Sequence, residues 1–458
     1  MSSRALLSPL TLTAVCMAPV QAATFVVSNT EDRFSLSCSN DCSLREAIYQ
    51  ANLNPGADRI ELRPGTYTLS LADPGWNADE EPDPDEDLGV RGDLDVSGRL
   101  TIVGDKDYNT IIQGVSDRLI EVLPGAWLNL RQLSLRDGRA DTYGGAIRND
   151  GEALIAFVGF YDNRATPGIQ GKGGAIANFG TLNISFSRFT GNNSNGDEGF
   201  SGQGGAIYNL GSLQVRDSHF EDNSVTDNDV DYAHGGAIYN EGQADVARSS
   251  FVANRAGQYA GGGGGAAIVN NQRGVFKLVN STVSGNFGTD TNGVIANGLF
   301  GFSPTGAEAQ MLLSHVTVAA NQGLGVSNLG SLTVRNSIVA GNSLNASPAN
   351  CNHQGVAYLA RGLMMGADLG TCQPSYWVDE DTLFTSVLSP GLYSSTGGGV
   401  GVGQGTRYHQ LLKNSPALDI GIGSCASHDQ RGAPRPRDGD RNGTSICDVG
   451  AYERWFTQ

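Results

Sequence analysis

The sequence predicts an all-β protein: a right-handed, single-stranded parallel β-helix with an N-terminal capping helix and disulfide-bridged ends. Three observations predict this fold. They are a repeated Gly-Gly-Ala-Ile-x-Asn segment, a second pattern that repeats in phase with it, and an unusual composition. The chain has 63 glycines in 458 residues, about twice the usual share. Its charged fraction of 17% argues against both a helical bundle and a disordered polyelectrolyte.

The two repeats define the units of the predicted solenoid. Full copies of the first repeat begin at Gly144, Gly173, Gly204 and Gly235, and weaker copies follow as far as Asn328. The second pattern places an apolar residue three positions before an asparagine. Its members are Phe160/Asn163, Phe189/Asn192, Phe220/Asn223, Phe251/Asn254, Val283/Asn286 and Val318/Asn321. Because a unit of about 30 residues with short strands cannot bury its own apolar side, the units must stack, with strands about 4.8 Å apart.

The repeated glycines and asparagines are interpreted as structural residues. Gly-Gly supplies the positive φ and the close backbone approach that a tight corner requires. Asparagine tolerates the left-handed region, and stacked asparagine amides can bond one another along the solenoid axis. The apolar members of the repeats are predicted to line up inside, namely Ile147, Ile176, Ile207, Ile238 and Ile268 with the Phe160, Phe189, Phe220 and Phe251 series.

Both ends of the solenoid are predicted to be capped. Ser43 can cap a helix from Leu44 to Asn52, and Glu46 completes a capping box. Such a helix would cover the unpaired edge of the first coil. The predicted organisation is a signal peptide at 1–22, an N-terminal cap and first coils at 23–99, β-helix repeats at 100–345, and C-terminal coils with a bridged cap at 346–458.

The N-terminus predicts export. Arg4, the apolar stretch 5–20 and the small-residue site Val20-Gln21-Ala22 are typical of a secretory signal. No later apolar run has the roughly 20 residues that a membrane helix needs. We therefore expect a secreted, extracellular protein without a membrane span, while the periplasm and the cell surface remain possible destinations.

The cysteines and the charge agree with this compartment. Six cysteines follow the signal in three local couples, and an even count in a secreted chain indicates disulfides. The couples are Cys38 with Cys42, Cys351 with Cys372, and Cys425 with Cys447; the count alone does not fix their connectivity.

The net charge of −17 argues against a nucleic-acid partner. A monomer is expected.

Three segments carry a family resemblance. The GGAI and FxxN repeats look like those of the chlamydial polymorphic membrane proteins, which are surface adhesins built on a β-helix. The segment from Cys38 to Ile48 resembles the N-terminal signature of the bacterial CSLREA proteins. Asp429 to Gly432 and Cys447 to Glu453 are similar to the end of the choice-of-anchor group of secreted β-helix proteins. This resemblance implies the fold strongly and an activity hardly at all.

A structural calcium ion is the one cofactor that the sequence suggests. Asp438, Asp440, Asn442 and the following Gly443 match the opening of a calcium-binding loop. The twelfth position holds Val449 instead of an acid, so we expect Asp448 to supply that ligand. The acidic segment 79–87, with Asp93 and Asp95 close by, is either a solvated loop or a second calcium site, and the segment 227–231 is a weaker candidate.

The variable loops before each Gly-Gly form a predicted binding lip at 164–172, 193–203, 224–234 and 255–263. Tyr208 and Tyr239 follow two of these loops and would point outward, where they could stack on sugar rings. The alternative is an aromatic ladder that only supports the sheet. Arg148, Asp231 and His234 complete the candidate ligand-binding residues.

The predicted function is non-catalytic, adhesin-like binding of an extracellular polysaccharide or cell-surface glycan through this lip. The alternative is a polysaccharide lyase or glycoside hydrolase acting on an acidic or neutral polysaccharide, a class of enzyme frequently built on this fold. A structural spacer without a ligand is a third possibility. Because no catalytic motif is recognisable, the sequence assigns no catalytic residue.

Overall fold

The computed structural model describes residues 21–38, 41–71, 89–166, 170–196, 202–227, 233–257, 264–288, 292–299, 308–367, 370–395 and 405–455. Most of the predicted signal peptide, the acidic segment 79–87 and Asp231 lie outside the described residues.

Parallel strands of successive coils stack into three long sheets, and the fold is a parallel β-helix, as the repeats predict. The ten-stranded sheet contains Leu94–Val96, Ile120–Val122, Ile147–Asn149, Ile176–Asn178, Ile207–Asn209, Ile238–Asn240, Ile268–Asn270, Ile295–Asn297, Val326–Asn328 and Cys351–His353. The six-stranded sheet contains Arg139–Ala140, Arg164–Ala165, Asn193–Gly196, Ser224–Asp227, Arg255–Ala256 and Phe287–Gly288.

The twenty-stranded sheet supplies the rest of each coil. Its strands are Thr24–Val27, Ala57–Leu62, Gly65–Leu69, Arg99–Val103, Thr110–Gly114, Trp127–Arg136, Glu152–Tyr161, Thr181–Ser185, Arg188–Thr190, Ser212–Arg216, His219–Glu221, Gln243–Ala247, Ser250–Val252, Val275–Ser284, Gln310–Ala319, Ser331–Arg335, Ile338–Ala340, Ala357–Arg361, Met364–Gly366 and Tyr376–Val378. Two short antiparallel pairs join Ser343–Leu344 to Ser347–Pro348 and Tyr393–Ser394 to Arg407–Tyr408. The described helical segments are Leu44–Leu53, Glu380–Thr382 and Leu383–Val387.

The core is built from identical residues stacked coil on coil. The isoleucines of the first repeat pair in register from Ile147 to Ile268. The rings of Phe160, Phe189, Phe220 and Phe251 stack with successive centroids 4.5, 4.7 and 4.8 Å apart, and all four side chains are fully buried. The inward placement of both series is therefore confirmed.

Two buried asparagine ladders run along the axis. From Asn149 to Asn328, each Nδ2 donates to the Oδ1 of the next coil's asparagine at 2.6–2.8 Å. From Asn163 to Asn342 the corresponding distances are 2.8–3.0 Å. The first glycine of each full Gly-Gly pair has a φ of 61–72°. The structural interpretation of both residue types is confirmed.

The N-terminal helix Leu44–Leu53 carries the predicted capping box, in which the side chains of Ser43 and Glu46 each accept a backbone N–H of the other residue. Leu44, Ala47, Ile48 and Ala51 are buried against the first coils. Arg45 is also buried, where its guanidinium pairs with Asp32 at 2.8 Å and donates to carbonyl oxygens of the segment 89–93. The helix therefore closes the solenoid through polar as well as apolar contacts.

Disulfides lie near both ends of the chain: Cys38–Cys42, Cys351–Cys372 and Cys425–Cys447. The first precedes the capping helix. The second starts from the last strand of the ten-stranded sheet. No described helix is long and apolar enough to cross a membrane.

The C-terminal segment, defined here as the described residues of 388–455, packs along the outside of the twenty-stranded sheet. Thr282 Oγ1 donates to Gln430 Oε1 at 2.6 Å, Ser284 Oγ lies 2.9 Å from His409 Nε2, and the backbone N–H of Ala451 donates to Thr317 Oγ1 at 3.0 Å. The C-terminal segment thus covers one face of the solenoid, and its role as an end cap stays a prediction.

A buried charged cluster holds this segment together and makes its stability depend on pH. Arg435 Nη1 donates to Glu453 Oε2 at 2.9 Å. Burial, reinforced by the charge of Glu453, raises the pKa of Asp448 to about 8. Burial also raises the pKa of Glu453 to about 7, against the opposing effect of Arg435. The folded chain therefore retains protons that the unfolded chain releases near pH 4.

We predict that stability falls as the pH rises from about 5 to about 9, because the contribution of the protonated pair is lost as the pH passes the raised pKa values. Melting temperatures measured across this range should decrease, and the decrease should be smaller in Asp448→Asn. A melting temperature that is constant or rises in the wild type would contradict this prediction.

Candidate functional site

Along the solenoid axis, the residues on the outer face of the ten-stranded sheet change from charged to aromatic. Its stacked outward positions run from Asp95 through Glu121 and Arg148 to Ala177, and continue through Tyr208 and Tyr239. The first three positions are charged, and the last two are aromatic. The small side chain of Ala177 separates them. We define the charged patch as Asp93, Asp95, Arg118, Glu121, Tyr143, Arg148, Lys172 and Phe179, which surround this boundary.

Lys172 is the lysine of this patch, at the end of a lip loop and directly before the left-handed Gly173. Its Nζ lies 5.6 Å from the ring centroid of Tyr143 and 5.2 Å from that of Tyr208. Lys172 is half-buried, and within the described part of the chain its ammonium has no ion-pair or hydrogen-bond partner. Burial lowers its pKa, with Glu241 acting in the opposite direction. A lysine in this state can act as a proton acceptor.

Arg148 lies beside Lys172 and shares the same aromatic neighbour. Its Cζ is 5.9 Å from the ring centroid of Tyr143 and 5.8 Å from that of Phe179. Its Nε pairs with Asp150 at 2.8 Å and lies 3.5 Å from Glu121. The side chain remains 33% exposed. The rest of its guanidinium is therefore available to a planar anion such as a carboxylate.

The carboxylates of Asp93, Asp95 and Glu121 form the acidic side of the patch, with oxygens within 4.8 Å of one another. Such oxygen ligands suit calcium. Arg118, however, donates from Nη1 to Asp93 Oδ2 at 2.7 Å and also pairs with Glu121. Because a guanidinium already bridges two of the three carboxylates, these residues are arranged to hold Arg118 and do not fit a metal ion.

The prediction that Tyr208 and Tyr239 stack on sugars is wrong. Both are only 2% exposed, and their rings stack on each other with centroids 5.8 Å apart. They form a secondary apolar cluster with Val269, Ala296 and Leu299 outside the main core. Alternation along the strand points them outward, as predicted, but other residues cover them. The alternative interpretation, a supporting aromatic ladder, is the one that the structure confirms.

The other candidate ligand-binding residues have different outcomes. Arg148 lies in the charged patch. His234 is 1% exposed, so burial contradicts its assignment to a surface binding site. Asp231 lies outside the described residues.

The predicted calcium loop brings together a partly different set of ligands. Asp438 and Asp440 group with Asp419, with oxygens within 4.8 Å of one another. Asp448 does not join this group, because it is buried and accepts the backbone N–H groups of Asp419 and Arg454. Its prediction as the missing ligand is therefore wrong. Asn442 lies in the loop, where its Oδ1 accepts the backbone N–H of Thr444 at 2.8 Å.

Lys172 was missed by sequence reasoning. The signal that could have found it is its rarity, since the chain has only four lysines (Lys106, Lys172, Lys277 and Lys413). A second signal is its place at the last position of a variable loop, immediately before Gly-Gly. Its burial, by contrast, depends on Tyr143 and Tyr208 in the neighbouring coils.

Comparison with known proteins supports the fold. No family model and no curated protein matches the chain. Among solved structures, the chain is similar to the pectate lyase Pel9A, with a TM-score of 0.50 and 14% identity over 94% of this chain and 96% of that one. The PL6 family alginate lyase AlyGC matches with a TM-score of 0.33 and 11% identity over 84% of this chain and 55% of that one. The structural neighbours are thus parallel β-helix polysaccharide lyases, and the resemblance to the CSLREA and chlamydial repeat proteins stays a prediction.

Proposed function

We propose that this protein is a polysaccharide lyase that cleaves a uronate-containing polysaccharide by β-elimination. The observation that carries the proposal is Lys172, half-buried and in no described ion pair, beside the partly exposed guanidinium of Arg148. β-Elimination needs these two groups, a base and a cation that neutralises the uronate carboxylate. The pectate lyase in the comparison, similar over nearly the full length of both chains, supports the same class of reaction.

The chemical step assigns one role to each group. Arg148 binds the substrate carboxylate, which makes the proton on the adjacent C5 more acidic. Neutral Lys172 Nζ accepts that proton. The electron pair of the C5–H bond forms the C4–C5 double bond, and the C4–O bond breaks. The pair from the broken bond passes to the glycosidic oxygen, which leaves and takes a proton from water. The products are an unsaturated uronate end and a new reducing end.

Hydrolysis fits the patch less well. A glycoside hydrolase needs two carboxyl groups roughly 5–9.5 Å apart, one of which carries a proton that it gives to the leaving group. Asp93 and Glu121 both pair with Arg118, which favours their ionised forms. The patch therefore supports the lyase alternative better than the hydrolase alternative.

The test is a product analysis of the purified mature protein incubated with polygalacturonate, alginate and a neutral polysaccharide. We expect new ultraviolet absorbance from the unsaturated product, in proportion to new reducing ends, with a uronate polymer only. Reducing ends without absorbance would indicate hydrolysis. Binding of the uronate polymers without either product would support the adhesin-like role that the sequence predicts. Each of these two results would overturn the proposal.

The expected partner is thus an extracellular acidic polysaccharide. The disulfides agree with an oxidising compartment, as does the predicted signal peptide. A uronate polymer also suits Arg148 and Lys172, since the third cation of the patch, Arg118, is already paired with Asp93 and Glu121.

We propose further that Asp419, Asp438 and Asp440, together with the loop of Asn442, hold a structural calcium ion. Oxygen donors on a turn are the ligands that this ion prefers. We predict that millimolar calcium raises the melting temperature of the chelator-treated protein, and that Asp438→Asn removes most of this increase. An equal increase in the variant would contradict the site. The control is Asp107→Asn, which removes one exposed acid far from the loop in sequence.

A further inference from the structure

A cavity of about 360 Å³ lies between the C-terminal segment and one corner of the solenoid. This volume falls within the range of small-molecule sites, roughly 300–1,000 Å³. Phe186, Asp217 and Arg248 line it on the solenoid side. These three residues occupy the same corner of three consecutive coils, each joining two strand segments of the twenty-stranded sheet. The charged patch lies on the ten-stranded sheet, so the cavity is a separate feature.

Phe186, the phenylalanine that lines the cavity, has an unusual backbone conformation. Phe186 has a φ of 48°, in the left-handed region, and Phe157 of the preceding coil has a φ of 58°. Bulky side chains rarely adopt this conformation, whereas asparagine does so at lower cost. The chain itself places Asn280 and Asn336 at equivalent left-handed corner positions with φ values of 48° and 43°. Phe186 and Phe157 therefore both adopt a backbone conformation that costs a phenylalanine more than an asparagine.

The two phenylalanine rings form a short stack that is open toward the cavity. Their centroids are 4.9 Å apart, and the ring planes differ by 6°. Phe157 covers one face of Phe186 and does not line the cavity. Arg248 draws the carboxylate of Asp217 toward itself through two bonds, of 2.7 and 2.5 Å. Because Phe186 itself lines the cavity, its ring can contact a molecule held there.

The charged residues of the lining already have partners. Asp217 pairs with Arg248, and on the opposite wall Arg431 pairs with Asp429 at 2.7 Å. His428 lies 2.9 Å from the hydroxyl of Ser427. Side chains in such ion pairs can still donate hydrogen bonds to hydroxyl groups or accept hydrogen bonds from them. Because each charge is already neutralised, the cavity does not need a charged ligand.

We propose that this cavity binds a pyranose ring of a neutral glycan. The apolar face of the sugar would stack on Phe186, and its hydroxyls would bond Asp217 and Arg248. One aromatic face with a few fixed polar groups is the pattern of a ligand site of this size. The site goes beyond the proposed lyase activity and does not depend on it. It would attach the protein to a neutral polysaccharide while the charged patch acts on an acidic one.

Isothermal titration with cellohexaose, xylohexaose and mannohexaose tests the proposal, with trigalacturonate as the acidic probe. Phe186→Asn is the informative variant, because the chain uses asparagine at this corner, and Phe157→Asn is its matched control. We expect one of the neutral oligosaccharides to bind, and its affinity to fall about tenfold or more in Phe186→Asn but to change little in Phe157→Asn.

Three results would overturn the proposal. They are equal affinities of the wild type and Phe186→Asn for the neutral oligosaccharide, no binding of any neutral probe at about 10 mM, and a preference for trigalacturonate that depends on Phe186. Far-ultraviolet circular dichroism of both variants shows whether they are folded. An Arg248→Gln variant provides a second measurement if Phe186→Asn does not fold.

Discussion

Replacement of Lys172 by alanine is expected to reduce kcat of uronate cleavage by about 10²–10⁴-fold, the usual contribution of a general base. The substrate affinity should change little, because Arg148 remains to bind the carboxylate. The side chain is only half-buried, so we expect the variant to fold with a nearly unchanged melting temperature. Initial rates of ultraviolet absorbance increase, measured over a range of substrate concentrations, separate kcat from KM.

Two controls distinguish a base from a mere positive charge. Lys172→Arg keeps the charge but cannot give up its proton near neutral pH, so it should be as inactive as the alanine variant. Lys277→Ala removes an exposed lysine from the twenty-stranded sheet and should leave the rate unchanged. If Lys172→Arg retains most of the activity, the role of Lys172 is electrostatic and the proposed mechanism is wrong.

The pH profile provides a related check of the same residue. A lysine base is active in its neutral form, and burial lowers the pKa of Lys172. The rate should therefore rise with pH and reach half of its maximum below the ordinary lysine pKa of about 10.4.

Replacement of Asn223 by alanine is expected to cost about 3–4 kcal/mol of unfolding free energy, because it leaves several buried polar groups without partners. Asn223 Oδ1 accepts both the backbone N–H and the Nδ2 of Asn192, at 3.1 and 2.8 Å. Its Nδ2 donates to Phe189 O at 3.0 Å and to Asn254 Oδ1 at 2.9 Å. Urea denaturation followed by circular dichroism measures the loss.

The matched control is Asn183→Ala. Asn183 lies in a neighbouring coil but is half-buried on a strand whose inward positions are Leu182 and Ile184. We expect its replacement to change the free energy of unfolding by less than about 0.5 kcal/mol. Equal losses in the two variants would show that the ladder bonds contribute no more than an ordinary surface asparagine.

Sequence reasoning predicts the solenoid well because each coil repeats the same short residue patterns at the same structural positions. Gly173 and Gly204 recur at the same corner with positive φ, and asparagines recur wherever an amide can bond the next coil. The capping helix is predicted for a similar reason, since Ser43 and Glu46 are neighbours in sequence. The path of the C-terminal segment is different. Its contacts, such as that between Thr282 and Gln430, join residues far apart in sequence and leave no periodic signal.

The candidate site can likewise be predicted only in part, because strand alternation is a local pattern whereas burial depends on residues of other coils. The alternation of the strand shows that Tyr208 points away from the core, but it cannot show that Tyr208 is buried in a cluster with Leu299 and Val269. The lowered pKa of Lys172 likewise depends on burial by other coils, because a single lysine forms no motif. The charged patch therefore forms only when four coils are stacked.

The proton NMR spectrum of the oligosaccharides released from polygalacturonate tests the central claim most directly. β-Elimination removes the C5 proton and creates a double bond, so the account predicts a vinyl proton at C4 on the new nonreducing end, present with the wild type and absent with Lys172→Ala. Products whose new nonreducing ends are saturated, or wild-type protein that releases no oligosaccharide from any uronate polymer, would contradict the assignment of this β-helix as a lyase.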